Sequence, residues 1–216
     1  RKKVYVHIFT DGRDASPTSG IKHIELLEKY MKKIGIGKIA SIGGRYYGMD
    51  RDNNFDRIEK CYDAMVIGTE VKEAKEVWKN SQSNGITDEF IIPTATCENA
   101  IITDNDGIIF FNFRPDRLRE LASIFTNDDY KCFDRQKINN LKVVTMMPVT
   151  DTVLCPSAFQ LQKLDNTLGK YIADLGYSQL RIAETEKYAH VTYFFDGGED
   201  IIFENEKRIL VPSPKV

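Results

Sequence analysis

Strand-like and helix-like segments alternate along this 216-residue chain, and that alternation limits its fold more than any other feature. Residues 3–10 (KVYVHIFT) are rich in β-branched and aromatic side chains and end at an Asp-Gly turn, as a buried parallel strand does. Residues 21–34 then carry apolar side chains at helical spacing. Because the same order returns at residues 38–66 and again after residue 108, the sequence predicts an α/β fold in which helices flank a mostly parallel or mixed sheet.

The rest of the chain predicts further elements with less regular spacing. Residues 90–92 predict an edge strand and residues 141–147 a further strand, each stopped by a proline. Clear periodicity is lost across residues 151–162, so we place a domain boundary near residue 160 and expect domains at 1–160 and 161–216. The second domain is expected to hold a helix, a strand, a second helix and a last strand, at residues 167–175, 179–183, 187–195 and 208–211.

The composition of the chain argues against some classes of binding partner. With 30 basic and 32 acidic residues the formal net charge is -2, which offers no global field for nucleic acid or an acidic membrane. No run approaches the roughly 18 apolar residues of a membrane span, and no basic-then-apolar leader precedes the first strand. The four cysteines are far apart and lack metal-binding spacing, which favours reduced thiols. We therefore expect a soluble, cytoplasmic protein.

Five arginines fall in three short motifs, each of which follows a predicted strand: Arg13, Arg45, Arg51, Arg114 and Arg117. Ligands of open α/β sheets bind beyond the carboxyl ends of the strands, where these motifs lie. The planar guanidinium group matches phosphate and carboxylate oxygens two at a time. A cluster of such groups in loops therefore predicts a pocket for a small, multiply charged anion.

Other interpretations of the same residues stay open at this point. Taken singly, each surface arginine is more commonly solvated or ion-paired than bound to a ligand. Adjacent Tyr46 and Tyr47 could stack on the bases of a single-stranded nucleic acid, although the acidic balance of the chain argues against that and tyrosines in a short loop more often brace the backbone. The three histidines, His7, His23 and His190, are better explained by packing or solvation than by catalysis.

Six long stretches, spread over nearly the whole chain, carry a family resemblance: DGRDASPTSG, GRYYGMDRD, FFNFRPDRLRE, NTLGKYIADLG, RIAETEKYAHVTYFFDGG and RILVPSPKV. Together they resemble the cofactor-independent (2,3-bisphosphoglycerate-independent) phosphoglycerate mutases. The resemblance implies a phosphatase domain of the alkaline-phosphatase type with a phosphotransferase domain inserted into it. It assigns residues 1–160 to the inserted, substrate-binding phosphotransferase domain and residues 161–216 to a linker and part of the returning phosphatase domain.

The resemblance also implies roles for individual residues. Those that match substrate-binding positions are Arg13, Asp14, Arg45, Arg51, Arg114, Arg117 and Lys187. Two of them, Asp14 and Lys187, are expected to be catalytic. A carboxylate among arginines stays ionised, so Asp14 could accept the proton of a substrate hydroxyl, while the Lys187 ammonium could offset charge on the phosphoryl group during transfer.

The resemblance further implies what this chain does not hold. The family's serine nucleophile and its ligands for two divalent metal ions, typically manganese, lie in segments outside these 216 residues, so we expect no metal bound by this chain and no turnover by it alone. The implied partners are 2-phosphoglycerate, 3-phosphoglycerate and the remaining phosphatase domain of a monomeric parent enzyme of glycolysis and gluconeogenesis, without nucleic acid or membrane. The alternative is a non-catalytic module that binds phosphate or a phosphosugar.

Overall fold

The computed structural model describes residues 3–68, 70–160 and 163–213. The chain divides into two compact units, Arg1–Gln160 and Leu161–Val216. Each unit is described by itself below.

The first unit contains a three-stranded mixed sheet of order β1-β2-β3. Strand β1 (Tyr5–Thr10) runs parallel to β2 (Lys38–Gly44), and β3 (Thr94–Ala95) pairs with β2 in the antiparallel direction. Helix α1 (Gly20–Ile34) connects β1 to β2 and ends at Gly35, whose φ of 70° is the left-handed conformation that glycine adopts readily at a helix end. This part of the fold confirms the predicted strand-helix-strand unit.

A second, two-stranded parallel sheet in the same unit pairs β4 (Gly107–Phe110) with β5 (Lys142–Thr145). The other helices of this unit are α2 (Arg45–Gly48), α3 (Phe55–Tyr62), the π-helical turn Asp63–Ile67, α4 (Ala74–Ser83), the 3₁₀ turns Asp88–Phe90 and Pro115–Arg117, and α5 (Arg119–Thr126). The edge strand expected at residues 90–92 is wrong, because Phe90 belongs to the 3₁₀ turn Asp88–Phe90 and the strand comes later, at β3.

Two apolar clusters hold the first unit together. One packs α1 and α4 against the first sheet, with Ile24 and Ile42 almost fully buried. The other surrounds Ile58, Leu118 and Leu121 and joins α3 and α5 to the second sheet. Burial of this apolar surface stabilises the fold at roughly 25 cal/mol per Å². The loops at the strand ends are thus held on a rigid base.

The second unit is a two-stranded parallel sheet, β6 (Gln179–Glu184) and β7 (Glu206–Val211), with α6 (Leu168–Asp174) and α7 (Tyr188–Val191). The helix expected over residues 187–195 is shorter, because a 3₁₀ turn (Thr185–Lys187) precedes α7 and the helix ends at Val191. Within the described ranges, no helix has the length and apolar character needed to cross a membrane.

Candidate functional site

The three arginine motifs follow the carboxyl ends of strands in the first unit. The Asp11–Asp14 turn leaves β1, and Arg45 begins α2 directly after β2. Thr10 and Gly44 are register partners at the ends of these parallel strands, so the two motifs start side by side. The third motif begins at Arg114, four residues after β4 ends. Because β1 and β2 run in the same direction, the first two motifs lie at the same edge of the sheet.

The segment 88–91 packs against both of these loops. Thr10 Oγ1 donates to the Asp88 carbonyl at 2.6 Å, and the Gly44 N–H donates to the Ile91 carbonyl at 2.7 Å. A side-chain carbon at Gly12, whose φ is +66°, would lie 2.5 Å from the Glu89 nitrogen, and one at Gly44 would collide with the Glu89 carbonyl. Glycine is therefore required at both positions for the loops to approach this segment.

Arg45 lies at the centre of the first group of contacts. Its Nη1 donates to Asp11 Oδ1 and to Asp14 Oδ2, both at 2.7 Å, and its side chain is only 7% exposed. Asp11 Oδ1 also accepts the backbone N–H groups of Arg13 and Asp14, at 3.2 and 3.1 Å. Asp11 therefore closes the turn that presents Asp14 to the guanidinium group.

These contacts shift the pKa values of all three groups. The hydrogen bond from Arg45, and then its charge, hold the pKa of Asp14 below its usual value. For Asp11, burial acts to raise the pKa, but hydrogen bonds from Arg45 and the turn outweigh it and lower the pKa. For Arg45, burial acts to lower the pKa, and the two carboxylates reverse that and raise it. All three groups are charged at neutral pH.

Arg114 and Arg51 join the same network through carboxylates. Arg114 Nη1 lies 3.8 Å from Asp14 Oδ2, and Arg114 Nε lies 3.7 Å from Asp116 Oδ1. Arg51 Nη1 donates to Asp116 Oδ2 at 2.8 Å. Arginines from three separate loops are therefore connected through Asp14 and Asp116.

Arg117 is the least satisfied member of this group. Its Nη1 donates to the Met49 carbonyl at 3.2 Å, while its Nε is buried with no hydrogen-bond partner among the described residues. Its pKa is lowered, first by burial and then by the positive charges of Arg51 and Arg45. A buried, unpaired guanidinium nitrogen next to other cations favours the approach of an anion.

The other two predicted site residues lie differently. Arg13 shares the turn with Asp14, but its side chain is 64% exposed and pairs with Glu89 Oε1 at 3.2 Å. Lys187 is an exposed residue of the second unit, in the 3₁₀ turn Thr185–Lys187. The structure thus gathers Asp14, Arg45, Arg51, Arg114 and Arg117 in one network, places Arg13 on its flank, and holds Lys187 in the other unit.

Sequence reasoning missed the acidic partners of these arginines. Asp11, Asp116 and Glu89 each accept an ion pair from a predicted binding residue. Asp11 and Asp116 lie inside the arginine motifs, and this nearness in sequence was the signal that could have identified them as partners. Glu89 is 76 residues from Arg13, and nothing local points to that pair.

The remaining candidates for chemistry have ordinary surroundings. His7 Nδ1 lies 2.8 Å from Ser41 Oγ, and burial lowers the pKa of His7 to about 4. Tyr46 packs against Phe90 and carries the Arg57 guanidinium 4.0 Å above its ring, so it braces the loop. In the part of the chain that the structure describes, no group of three or more His, Cys, Asp or Glu side chains could hold a metal ion.

An arginine-rich site at the strand ends of an α/β unit is typical of proteins that bind phosphorylated metabolites. Comparison with known proteins makes the family specific. The model of the family described as BPG-independent PGAM N-terminus matches residues 1–151. The chain therefore belongs to the family of 2,3-bisphosphoglycerate-independent phosphoglycerate mutases, as its motifs predict.

Individual relatives agree with this assignment. The chain is 49% identical to the 2,3-bisphosphoglycerate-independent phosphoglycerate mutase of Clostridium kluyveri, with 99% of this chain covered, and 46% identical to enzyme 1 of that name from Methanosarcina barkeri, with 100% covered. A crystal structure of Leishmania mexicana phosphoglycerate mutase at low cobalt concentration matches all of this chain with a TM-score of 0.74 and 28% identity. In each case the chain spans 43% of the relative's length.

Proposed function

We propose that this chain is the substrate-binding phosphotransferase part of an isomerase that interconverts 2-phosphoglycerate and 3-phosphoglycerate through a phosphoserine intermediate. The first unit is then the phosphotransferase domain, and the second is a linker with part of the phosphatase domain. Membership of the mutase family and the names of the relatives support this proposal. The reaction belongs to glycolysis and gluconeogenesis, which fits a cytoplasmic enzyme.

The observation that carries the proposal is the convergence of Arg45, Arg51, Arg114 and Arg117. Arg117 is far from Arg45 and Arg51 in sequence. The positive charges of Arg51 and Arg45 nevertheless lower the pKa of Arg117, and only burial has a larger effect. Phosphoglycerate carries a phosphate, a carboxylate and a hydroxyl group. Bidentate guanidinium groups can fix the two anionic groups and leave the hydroxyl free to react.

In this proposal Asp14 is the general base. Its lowered pKa, caused by the hydrogen bond from Arg45, keeps it ionised at neutral pH. It accepts the proton of the substrate hydroxyl as that oxygen attacks the phosphoryl group of the phosphoserine, and the bond from phosphorus to the serine oxygen breaks. Lys187 would act as a point charge that offsets the charge on the transferred phosphoryl oxygens. Arg13 would add a further contact to the substrate from the flank of the site.

Asp14→Asn tests the role of the base. In the complete enzyme we expect kcat to fall by about 10²–10⁴-fold while KM changes little, because the amide keeps the shape but cannot take the proton. Steady-state kinetics separate the two parameters. A fall in kcat/KM caused only by a raised KM would assign Asp14 to binding instead.

The metal ions of the reaction would be held elsewhere in the protein. Asp11, Asp14 and Asp116 are each engaged by arginine, and no metal-binding cluster occurs in residues 3–68, 70–160 and 163–213, so these residues do not fit a metal. We propose that the remaining phosphatase domain supplies the serine nucleophile and the ligands for two divalent ions, of which manganese is the expected one.

The separate contribution of this chain is then binding. Calorimetric titration of the 216-residue chain with 3-phosphoglycerate should show one saturable site, whereas a coupled assay with added manganese should show no mutase turnover. Measurable turnover would contradict the proposal that the serine nucleophile and the metal ligands come from the remaining phosphatase domain. Equal affinity for inorganic phosphate and 3-phosphoglycerate would favour the simpler phosphate-binding module.

A further inference from the structure

A buried carboxyl group stands directly behind the loop that carries Arg51. Glu120 is in the first turn of α5, and its side chain is 0% exposed. Its Oε1 accepts the backbone N–H of Asn53 at 3.0 Å. Its Oε2 is buried and has no hydrogen-bond partner among the described residues. A buried carboxylate oxygen left without a donor costs free energy, so this atom calls for an explanation.

A second buried carboxyl group faces Glu120. Asp50 lies within hydrogen-bonding reach of Glu120, and its side chain is 2% exposed. Asp50 Oδ1 accepts the backbone N–H groups of Asp52 and Asn54 at 2.9 and 3.0 Å. Asp50 Oδ2 accepts from Asn54 Nδ2 at 2.9 Å and from Arg57 Nη1 at 3.0 Å. Asp50 therefore has four donors, and Glu120 has one.

This difference decides which of the two groups holds a proton. Two ionised carboxylates in contact inside a protein repel each other, so one of the pair stays protonated. For Asp50, burial acts to raise the pKa, but the four donors outweigh it and lower the pKa. For Glu120, burial first, and then Asp50, raise the pKa. The four donors favour the ionised form of Asp50, whereas burial and the unpaired Oε2 favour the protonated form of Glu120.

The other charged or titratable groups around Glu120 do not change this assignment. Arg119 Nη2 approaches Glu120 Oε1 at 3.6 Å, but Arg119 donates its hydrogen bond to the Arg51 carbonyl at 2.7 Å. Tyr130 also faces Glu120, and burial raises the pKa of Tyr130, so it stays neutral. Arg57 is committed to Asp50.

Asp50, Glu120 and Arg119 hydrogen-bond to backbone groups of the loop 50–54. Arg119 holds the Arg51 carbonyl, Asp50 holds the N–H groups of Asp52 and Asn54, and Glu120 holds that of Asn53. Asn53 has a φ of 61°, a left-handed conformation that needs support from its surroundings. The Arg51 side chain projects from this loop to Asp116.

We propose that Glu120 is a positioning residue: as a neutral carboxylic acid it donates from Oε2 to Asp50, and with Asp50 it fixes the loop 50–54 that presents Arg51 to the ligand. Only the ligand part of this inference rests on the proposed function. The proton-sharing pair stands on the contacts of the protein alone.

The proposal has a definite pH dependence. A group whose pKa is raised in the folded protein contributes stability that is complete below its unfolded pKa and is lost as the pH rises through its folded pKa. Loss of the proton leaves two carboxylates in contact, and their repulsion opposes the packing of the loop 50–54 against α5. The loop, and with it binding at Arg51, should therefore loosen as the pH rises.

Glu120→Gln tests the proton directly. The glutamine amide can donate to Asp50 and accept from Asn53, so we expect Glu120→Gln to be as stable as the wild type in acid, below the unfolded carboxyl pKa, and to escape the loss of stability that the wild type shows as the pH rises above it. Infrared spectra of the wild type at neutral pH should show a protonated carboxylic acid band that is missing in Glu120→Gln and retained in the exposed control Glu25→Gln. Glu120→Ala should lose loop order, measured as faster exchange of the Asn53 amide hydrogen.

Titration with 3-phosphoglycerate tests the link to Arg51. Affinity should fall with rising pH in the wild type but not in Glu120→Gln, and Glu120→Ala should weaken binding by about tenfold. If no variant binds 3-phosphoglycerate but the infrared band disappears in Glu120→Gln, the proposed function fails and the proton-sharing pair stands. A wild type without the band, a band that persists in Glu120→Gln, or a glutamine variant as unstable as the alanine one overturns the proposal. An ionised Glu120 paired with Arg119 would give no band in the wild type and would be destabilised by the change to glutamine.

Discussion

The two units both contain arginines surrounded by carboxylates, but the balance of charge differs. In the second unit, Arg181 and Arg208 are 6% and 12% exposed and face Asp196, Asp200 and Glu206. In the first unit, Arg45, Arg51 and Arg114 share three carboxylates, Asp11, Asp14 and Asp116, and a fourth arginine, Arg117, has no ion pair among the described residues. The acidic surplus is typical of a structural network, and the basic surplus supports the proposal that the arginine group binds an added anion.

The largest expected effect is the loss of the structural network. Arg181→Met removes a partner of Asp196, which lies 3.0 Å from Arg181 Nη2, and leaves two fully buried carboxylates, Asp196 and Glu206, with only Arg208 as an ion-pair partner among the described residues. We expect the second unit to lose about 3–5 kcal/mol of unfolding free energy. Denaturant unfolding measures this loss, and Lys170→Ala, which removes an exposed pair with Asp174, is the control with a cost below about 0.5 kcal/mol. Equal costs would remove the distinction between the two regions.

The next effect concerns binding, without a loss of stability. Arg117→Ala removes the guanidinium group that has an unpaired buried nitrogen, so we expect 3-phosphoglycerate binding to weaken by about 1.5–3 kcal/mol, or roughly 10- to 150-fold. Unfolding free energy should change by less than about 0.5 kcal/mol, because no ion pair is lost. Calorimetry and denaturant unfolding give the two numbers.

Lys29→Ala on the exposed face of α1 is the matched control for Arg117→Ala, since it removes one positive charge far along the chain from the three motifs. Its affinity should equal that of the wild type. A large loss of stability in Arg117→Ala, with binding intact, would make Arg117 a structural residue like Arg181.

The smallest effect is expected in acid. The pKa values of Asp11 and Asp14 are lowered in the folded protein, so their contribution to stability is present above the unfolded carboxyl pKa and is lost as the pH falls through the folded values. Below about pH 4, Asp11→Asn should lose less unfolding free energy than the wild type does. The difference should be less than about 1 kcal/mol, because these ion pairs are partly exposed. Thermal unfolding across that pH range measures the change.

The parts of the fold with strong local signals were predicted well from sequence. The strand expected at residues 3–10 is Tyr5–Thr10, and the helix expected at residues 21–34 is Gly20–Ile34. The run at residues 90–92 was misassigned because its conformation depends on distant partners: Gly44 donates to Ile91, and Asp88 accepts from Thr10. An apolar run of three residues cannot record such contacts.

The candidate site was predictable in part for a similar reason. Strand ends and arginine chemistry placed three motifs on one unit, and the family resemblance named their residues. The sequence could not show that Arg13 turns to Glu89, that Asp116 joins Arg51 to Arg114, or that Glu120 is buried behind the loop. Each of these contacts joins residues whose distance is set only by the packing of the folded unit.

A crystal structure of this chain with bound 3-phosphoglycerate tests the central claim most directly. We predict that the anionic groups of the ligand contact Arg45, Arg51, Arg114 and Arg117, with Arg117 Nε paired to a ligand oxygen and the Asp14 carboxylate facing the hydroxyl. A ligand bound elsewhere, with these four arginines still paired only to Asp11, Asp14 and Asp116, would contradict the account.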